Sequence, residues 1–102
     1  MGKEKREGPS VGPDEIGISI EPEIEKGAYC NLASIHHSQA EFVLDFIFVM
    51  GNSGNVASRV ITNPQHAKAL LAALGENVGK YEARYGEIIP AQQPSATPII
   101  AH

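Results

Sequence analysis

A chain of 102 residues, 42% of them hydrophobic, is the size of one small globular domain, and no run in it approaches the ~20 apolar residues of a membrane-spanning helix. A single cysteine excludes an internal disulfide framework. The net charge of −4 sits in residues 1–25, where seven acidic side chains face three basic ones, while the remainder balances at five against five; a neutral body disfavours binding of nucleic acid through its phosphates.

Residues 1–15 are charged and contain Gly8, Pro9, Gly12 and Pro13. They bury too little to offset the entropy of ordering, and read as a disordered acidic arm. The first residues hold no apolar stretch of the kind a secretory signal needs, so a cytoplasmic location is expected. Ile16, Ile18 and Ile20 alternate with small and polar residues, which predicts a short half-buried strand at a sheet edge, since Pro22 follows. Glu23 to Gly27 is a charged turn. Ala28 to His36 predicts a second strand, and residues 37–40 a loop.

Glu41 to Met50 is the stretch on which the fold depends. Phe42, Leu44, Phe46, Phe48 and Met50 share one parity; Val43, Ile47 and Val49 share the other, interrupted only by Asp45. A strand apolar on both sides belongs in the middle of an antiparallel sheet. The glycine- and asparagine-rich run at 51–55 predicts a loop, and Val56 to Thr62 a fourth strand. Asn63 then suits a helix N-cap and Pro64 the first helical position. Ala67, Leu71, Leu74, Val78, Tyr81 and Tyr85 form a seam at alternating spacings of four and three, and Gly86 ends the helix. Gly75 and Gly79 lie beside the seam, one turn apart, which suggests close approach of another backbone. Residues 89–102 read as a flexible proline-rich tail.

The expected architecture is α+β: a four-stranded antiparallel sheet followed by one long C-terminal helix (β-β-β-β-α), forming one domain over residues 16–88 with flexible termini. Hairpins centred near Gln39 and Ser53 would join Cys30, Leu32, Val56 and Val60 to the phenylalanine face, which the helix should cover. Cys30 would then be buried beneath that helix. Tyr29, Asn31, Ile35, Asp45, Arg59 and Ile61 would occupy the other face. That face is apolar enough to need a partner. Tyr29, Asn31, Asp45 and Arg59 are therefore the candidate interface or ligand residues. Arg59→Ala is expected to disturb assembly or ligand binding more than folding.

No catalytic pairing and no cofactor motif is evident. His36 and His37 should point to opposite faces; convergence with Glu41 or His66 on a metal is the weaker alternative, since no metal-ligand spacing is present. Lys68, Lys80 and Arg84 could meet phosphates, with Glu76 placed to offset Lys80.

The pieces Tyr29 with Asn31 and Leu32, Ser38 with Glu41-Phe42-Val43-Leu44-Asp45-Phe46, Ser58-Arg59, Pro64-Gln65-His66-Ala67-Lys68, Asn77, Lys80-Tyr81-Glu82 and Gly86 together resemble the small prokaryotic family catalogued as domain of unknown function 3467. The resemblance covers residues 18–88. It supports the segment boundaries and implies no activity. The chain departs from the family's usual threonine at Asn63 and its bulkier residues near Gly75 and Gly79. The functional expectation is a non-enzymatic, self-associating binding or scaffold protein, a dimer or higher homo-oligomer with no membrane attachment and room for a protein partner. The alternatives are a single-stranded nucleic-acid binder and a chaperone-like binder of extended polypeptide.

Overall fold

The computed structural model describes residues 6–7 and 16–91. Its elements are β1 (Arg6–Glu7), β2 (Ser19–Ile20), α1 (Pro22–Glu25), β3 (Leu32–His37), β4 (Phe42–Met50), β5 (Ser53–Thr62) and α2 (Pro64–Tyr85). The sheet is a three-stranded antiparallel meander in the order β3-β4-β5. The chain is α+β with an antiparallel sheet and a long C-terminal helix, as its sequence predicts, but the sheet lacks the expected fourth strand. Ser19–Ile20 pairs instead with Arg6–Glu7 as a separate two-stranded ribbon. The isoleucine alternation is short, and Ile16 and Ile18 stay exposed. Most of the expected acidic arm, and residues 92–102 of the expected tail, lie outside the described residues.

β4 takes the central place that its two apolar faces require. Leu32 opposes Ile47 and His37 opposes Phe42, which centres the first hairpin between Gln39 and Ala40. That is half a residue from the expected centre, and it moves every β3 side chain to the other face. Leu32 therefore joins the Asp45 side, and Ile35 joins the phenylalanines. β3 also begins later than expected, so Ala28, Tyr29 and Cys30 precede it, and Cys30 is half-buried, not buried as expected.

The second hairpin is tighter than the sequence suggests. Met50 opposes Ser53 across the two residues Gly51 and Asn52. Gly51 has φ +65°, and Asn52 is not left-handed. A positive φ at the first central residue only is the type II′ pattern, which matches strand twist and favours glycine there. β5 consequently starts at Ser53, inside the run expected to be loop. Phe46 opposes Ser58 while Ile47 opposes Val56, so Ala57 is an extra residue in β5. The tight turn moves Val56 from its expected place among the phenylalanines to the Asp45 side, and the bulge restores the expected faces from Ser58 onward.

α2 has the expected cap. The Asn63 side chain accepts a 2.8 Å hydrogen bond from the His66 N–H, and Pro64 occupies the first turn. At the other end Gly86 has φ +103°, and its N–H donates to the Glu82 carbonyl at 2.9 Å. What α2 does not do is cover the sheet. It packs along none of the strands, and none of its residues is buried. Among the described residues the buried apolar side chains are Leu32, Leu44 and Ile47. No helix among the described residues is long and apolar enough to cross a membrane.

Candidate functional site

Asp45 lies at the centre of the sheet and is 0% exposed. A carboxylate so placed is costly unless its oxygens are satisfied by strong donors. Strand pairing sets Ser34, Asp45 and Arg59 in one row across β3, β4 and β5. The Arg59 guanidinium therefore reaches the carboxylate from the adjacent strand. Nε donates to Oδ1 at 2.6 Å and Nη2 to Oδ2 at 2.8 Å, a bidentate pair. His36 Nε2 stands 3.7 Å from Oδ2, on the third strand. The cluster thus spans the whole sheet. The hydrogen bonds from Arg59 to Asp45 and the attraction of the carboxylate, in that order, hold the guanidinium pKa above its usual value against a smaller effect of burial. The stability carried by this shift is therefore present across the ordinary pH range and lost only as pH rises through the range where arginine deprotonates.

Beside the cluster lies an open depression of about 370 Å³ lined by His36, His37, Ser38, Glu41, Val43 and Arg59. Its rim is an ordered turn. Ser38 Oγ accepts from the N–H groups of Ala40 and Glu41, both at 3.2 Å, and the Ser38 N–H donates to the Glu41 carbonyl at 2.9 Å. The adjacent histidines diverge as their positions on a strand require. His36 approaches Asp45, while His37 stacks on Phe42 with ring centroids 5.3 Å apart. Among the described residues no three His, Cys, Asp or Glu side chains form a group that could hold a metal ion.

The four residues expected on one face divide into three places. Asp45 and Arg59 are paired. Asn31 is elsewhere: its Nδ2 donates to the Val49 carbonyl at 3.0 Å, and its Oδ1 accepts from the Val49 N–H at 2.9 Å. With the Asn31 N–H donating to the Ile47 carbonyl, this side chain extends the ladder ahead of the start of β3. Nothing in the strand pattern signals this, because an asparagine side chain imitates a backbone unit only when the partner strand overruns its neighbour. Asn31→Ala should lower stability by about 1–2 kcal/mol in urea unfolding, and speed hydrogen exchange at the Val49 amide. Tyr29, also exposed, sets its ring edge-on to Phe48 at 6.1 Å, on the phenylalanine side.

The depth at which Asp45 is held also changes the reading of Arg59. Its loss would strand a buried carboxylate, so Arg59→Ala strikes folding as well as any assembly, contrary to the expectation from sequence. On α2, no described residue beyond the helix's own neighbouring backbone lies within 4 Å of a side-chain position at Gly75 or Gly79. Lys80 lies 3.5 Å from Glu76, and the Arg84 guanidinium lies 5.3 Å from the centre of the Tyr85 ring. Two of the three cations considered for phosphate binding thus have partners on the helix itself.

No curated protein and no solved structure matches the chain. A family model described as "Protein of unknown function (DUF3467)" matches residues 1–89, in agreement with the resemblance carried by the Glu41-to-Phe46, Ser58-Arg59 and Pro64-to-Lys68 segments, and the chain belongs to that family.

Proposed function

We propose that the protein is a non-enzymatic, self-associating binding or scaffold protein. The observation that carries this reading is α2 itself. It is a 22-residue helix with an apolar seam along its length and no buried residue. Helices in proteins owe most of their stability to a packed apolar face, and two interior glycines weaken this one further. A domain with so few buried apolar side chains is also of the size at which oligomerisation commonly completes the core. A second chain supplies what both features lack. The Asp45 cluster supports a structural role in the same reading. Its carboxylate is buried and bound at both oxygens by Arg59, which leaves it poorly placed to act on a substrate.

The test is the solution mass by light scattering on a sizing column, with absorbance followed at the protein and nucleic-acid maxima. A mass of two or more chains and a protein-like spectrum is the expected result. A single-chain mass removes self-association. Excess absorbance at the nucleic-acid maximum replaces the scaffold reading with nucleic-acid binding.

A further inference from the structure

The connection from β5 to α2 is the single residue Asn63. Its backbone is extended (φ −94°, ψ 168°), and its side chain is tied up as the helix cap. Pro64 enforces that conformation, because its ring clashes with a preceding residue in helical backbone. To lie across the sheet it has just left, a helix must reverse direction, and strand–helix connections in compact domains usually span about 2–6 residues. One stiff residue denies α2 that reversal.

Two surfaces are left over, and they match. Along the helix seam Leu71, Leu74, Tyr81 and Tyr85 are 71, 59, 50 and 65% exposed. The phenylalanine face of the sheet carries no Asp, Glu, Lys or Arg on any of its three strands. On that face Ile35 and Val60 are 58 and 44% exposed, and the three phenylalanine rings are half-buried. The other face is less suited, since it holds the Asp45–Arg59 pair. Lengths agree as well. Twenty-two helical residues span ~33 Å at the usual rise. The ten residues of β5 span about the same.

We propose that two copies exchange α2, each laying its helix along the phenylalanine face of the other. The inference rests on the self-association proposed above and adds its geometry. A short, stiff hinge is the feature that favours exchange of an element over closure within one chain. The area is sufficient. The exposed parts of the seam amount to on the order of 500 Å², taking ~180 Å² for a fully exposed side chain of this size. With a similar area on the sheet, two symmetric contacts bury roughly 2,000 Å² in total, at the upper end of the range for stable specific interfaces.

The experiment is an isotope-filtered NOE spectrum of full-length protein, prepared by mixing labelled and unlabelled copies and allowing them to exchange. Only contacts between different copies appear. The expected signals join protons of Leu71, Leu74 and Tyr81 to those of Phe46 and Val60. Intermolecular signals confined to helix against helix would overturn the exchange and leave self-association standing. Helix-to-sheet signals present in a conventional NOE spectrum of uniformly labelled protein but absent from the filtered one would do the same. A single-chain mass by light scattering would overturn both.

Discussion

Leu74→Asp is expected to convert an assembly into single chains, raising the dissociation constant at least about 100-fold. Leu74 is in the middle of the α2 seam and is 59% exposed in the single chain. An isolated helix therefore tolerates the carboxylate, whereas a helix pressed against the apolar phenylalanine face does not. A charge buried there finds no Lys or Arg among the residues of that face. Sedimentation velocity across a dilution series reads the change directly. The control is Glu76→Lys, two residues on and on the opposite side of the helix. Glu76 is exposed and lies 3.5 Å from Lys80 one turn away. That substitution should alter the dissociation constant by less than about threefold. Equal losses in both variants would show that the seam is not the contact. Helix content by circular dichroism should also fall in Leu74→Asp as the chains separate, because α2 loses its packed face.

The second large effect belongs to the buried carboxylate. Arg59→Ala should lower the midpoint of thermal unfolding by about 10 °C or more. The guanidinium gives both of its hydrogen bonds to a group with no exposure to water. Removing the donor leaves the charge in place without its main compensation. Asp45→Ala combined with Arg59→Ala should be more stable than Arg59→Ala alone, since the charge leaves together with its partner. Calorimetry on the wild type, both single variants and the double variant completes the cycle and gives the coupling. A double variant no better than Arg59→Ala would mean that the loss comes from packing of the arginine stem and not from the carboxylate. His36, 3.7 Å from the same oxygen, is too distant for a hydrogen bond in this geometry and does not replace the bidentate donor.

Much of this is legible in the sequence. The two-sided apolar pattern of Glu41 to Met50 marks a central strand, and the Asn63-Pro64 start and Gly86 stop mark the helix. Asp45 and Arg59 share a face as parity predicts, but only through the bulge: the turn at Gly51-Asn52 is centred one and a half residues before Ser53, which alone would flip β5, and the extra residue Ala57 flips it back. The half-residue shift of the first hairpin has the opposite consequence. It exchanges Leu32 and Ile35 between faces, and a pattern of period two cannot distinguish the two registers when both faces are apolar. The bulge at Ala57 was hidden for a similar reason, since neither Ala57 nor its neighbours Val56 and Ser58 identify the extra residue. Ile16 to Ile20 has the alternation of a strand, but alternation does not specify which edge it joins. The position of α2 departs furthest from what its sequence predicts. A seam shows that a helix must pack and leaves open on what; the one-residue connector is the local fact that bears on it.

The bulge has a consequence for changes in chain length. Straightening the ladder of β5 against β4 would place Val56 next to Ser58, opposite Ile47 and Phe46, where both already stand. Ala57 is thus the residue of this strand whose deletion keeps every cross-strand partner and every face assignment. Loss of any other residue between the bulge and Thr62 would instead drag Arg59 or its neighbours out of line with Asp45, or force the strand to slide. An insertion there carries the same penalty. Within the family, therefore, a difference of one residue between the second hairpin and the arginine is expected at the position of Ala57, with the spacing from Arg59 to the helix cap left unchanged.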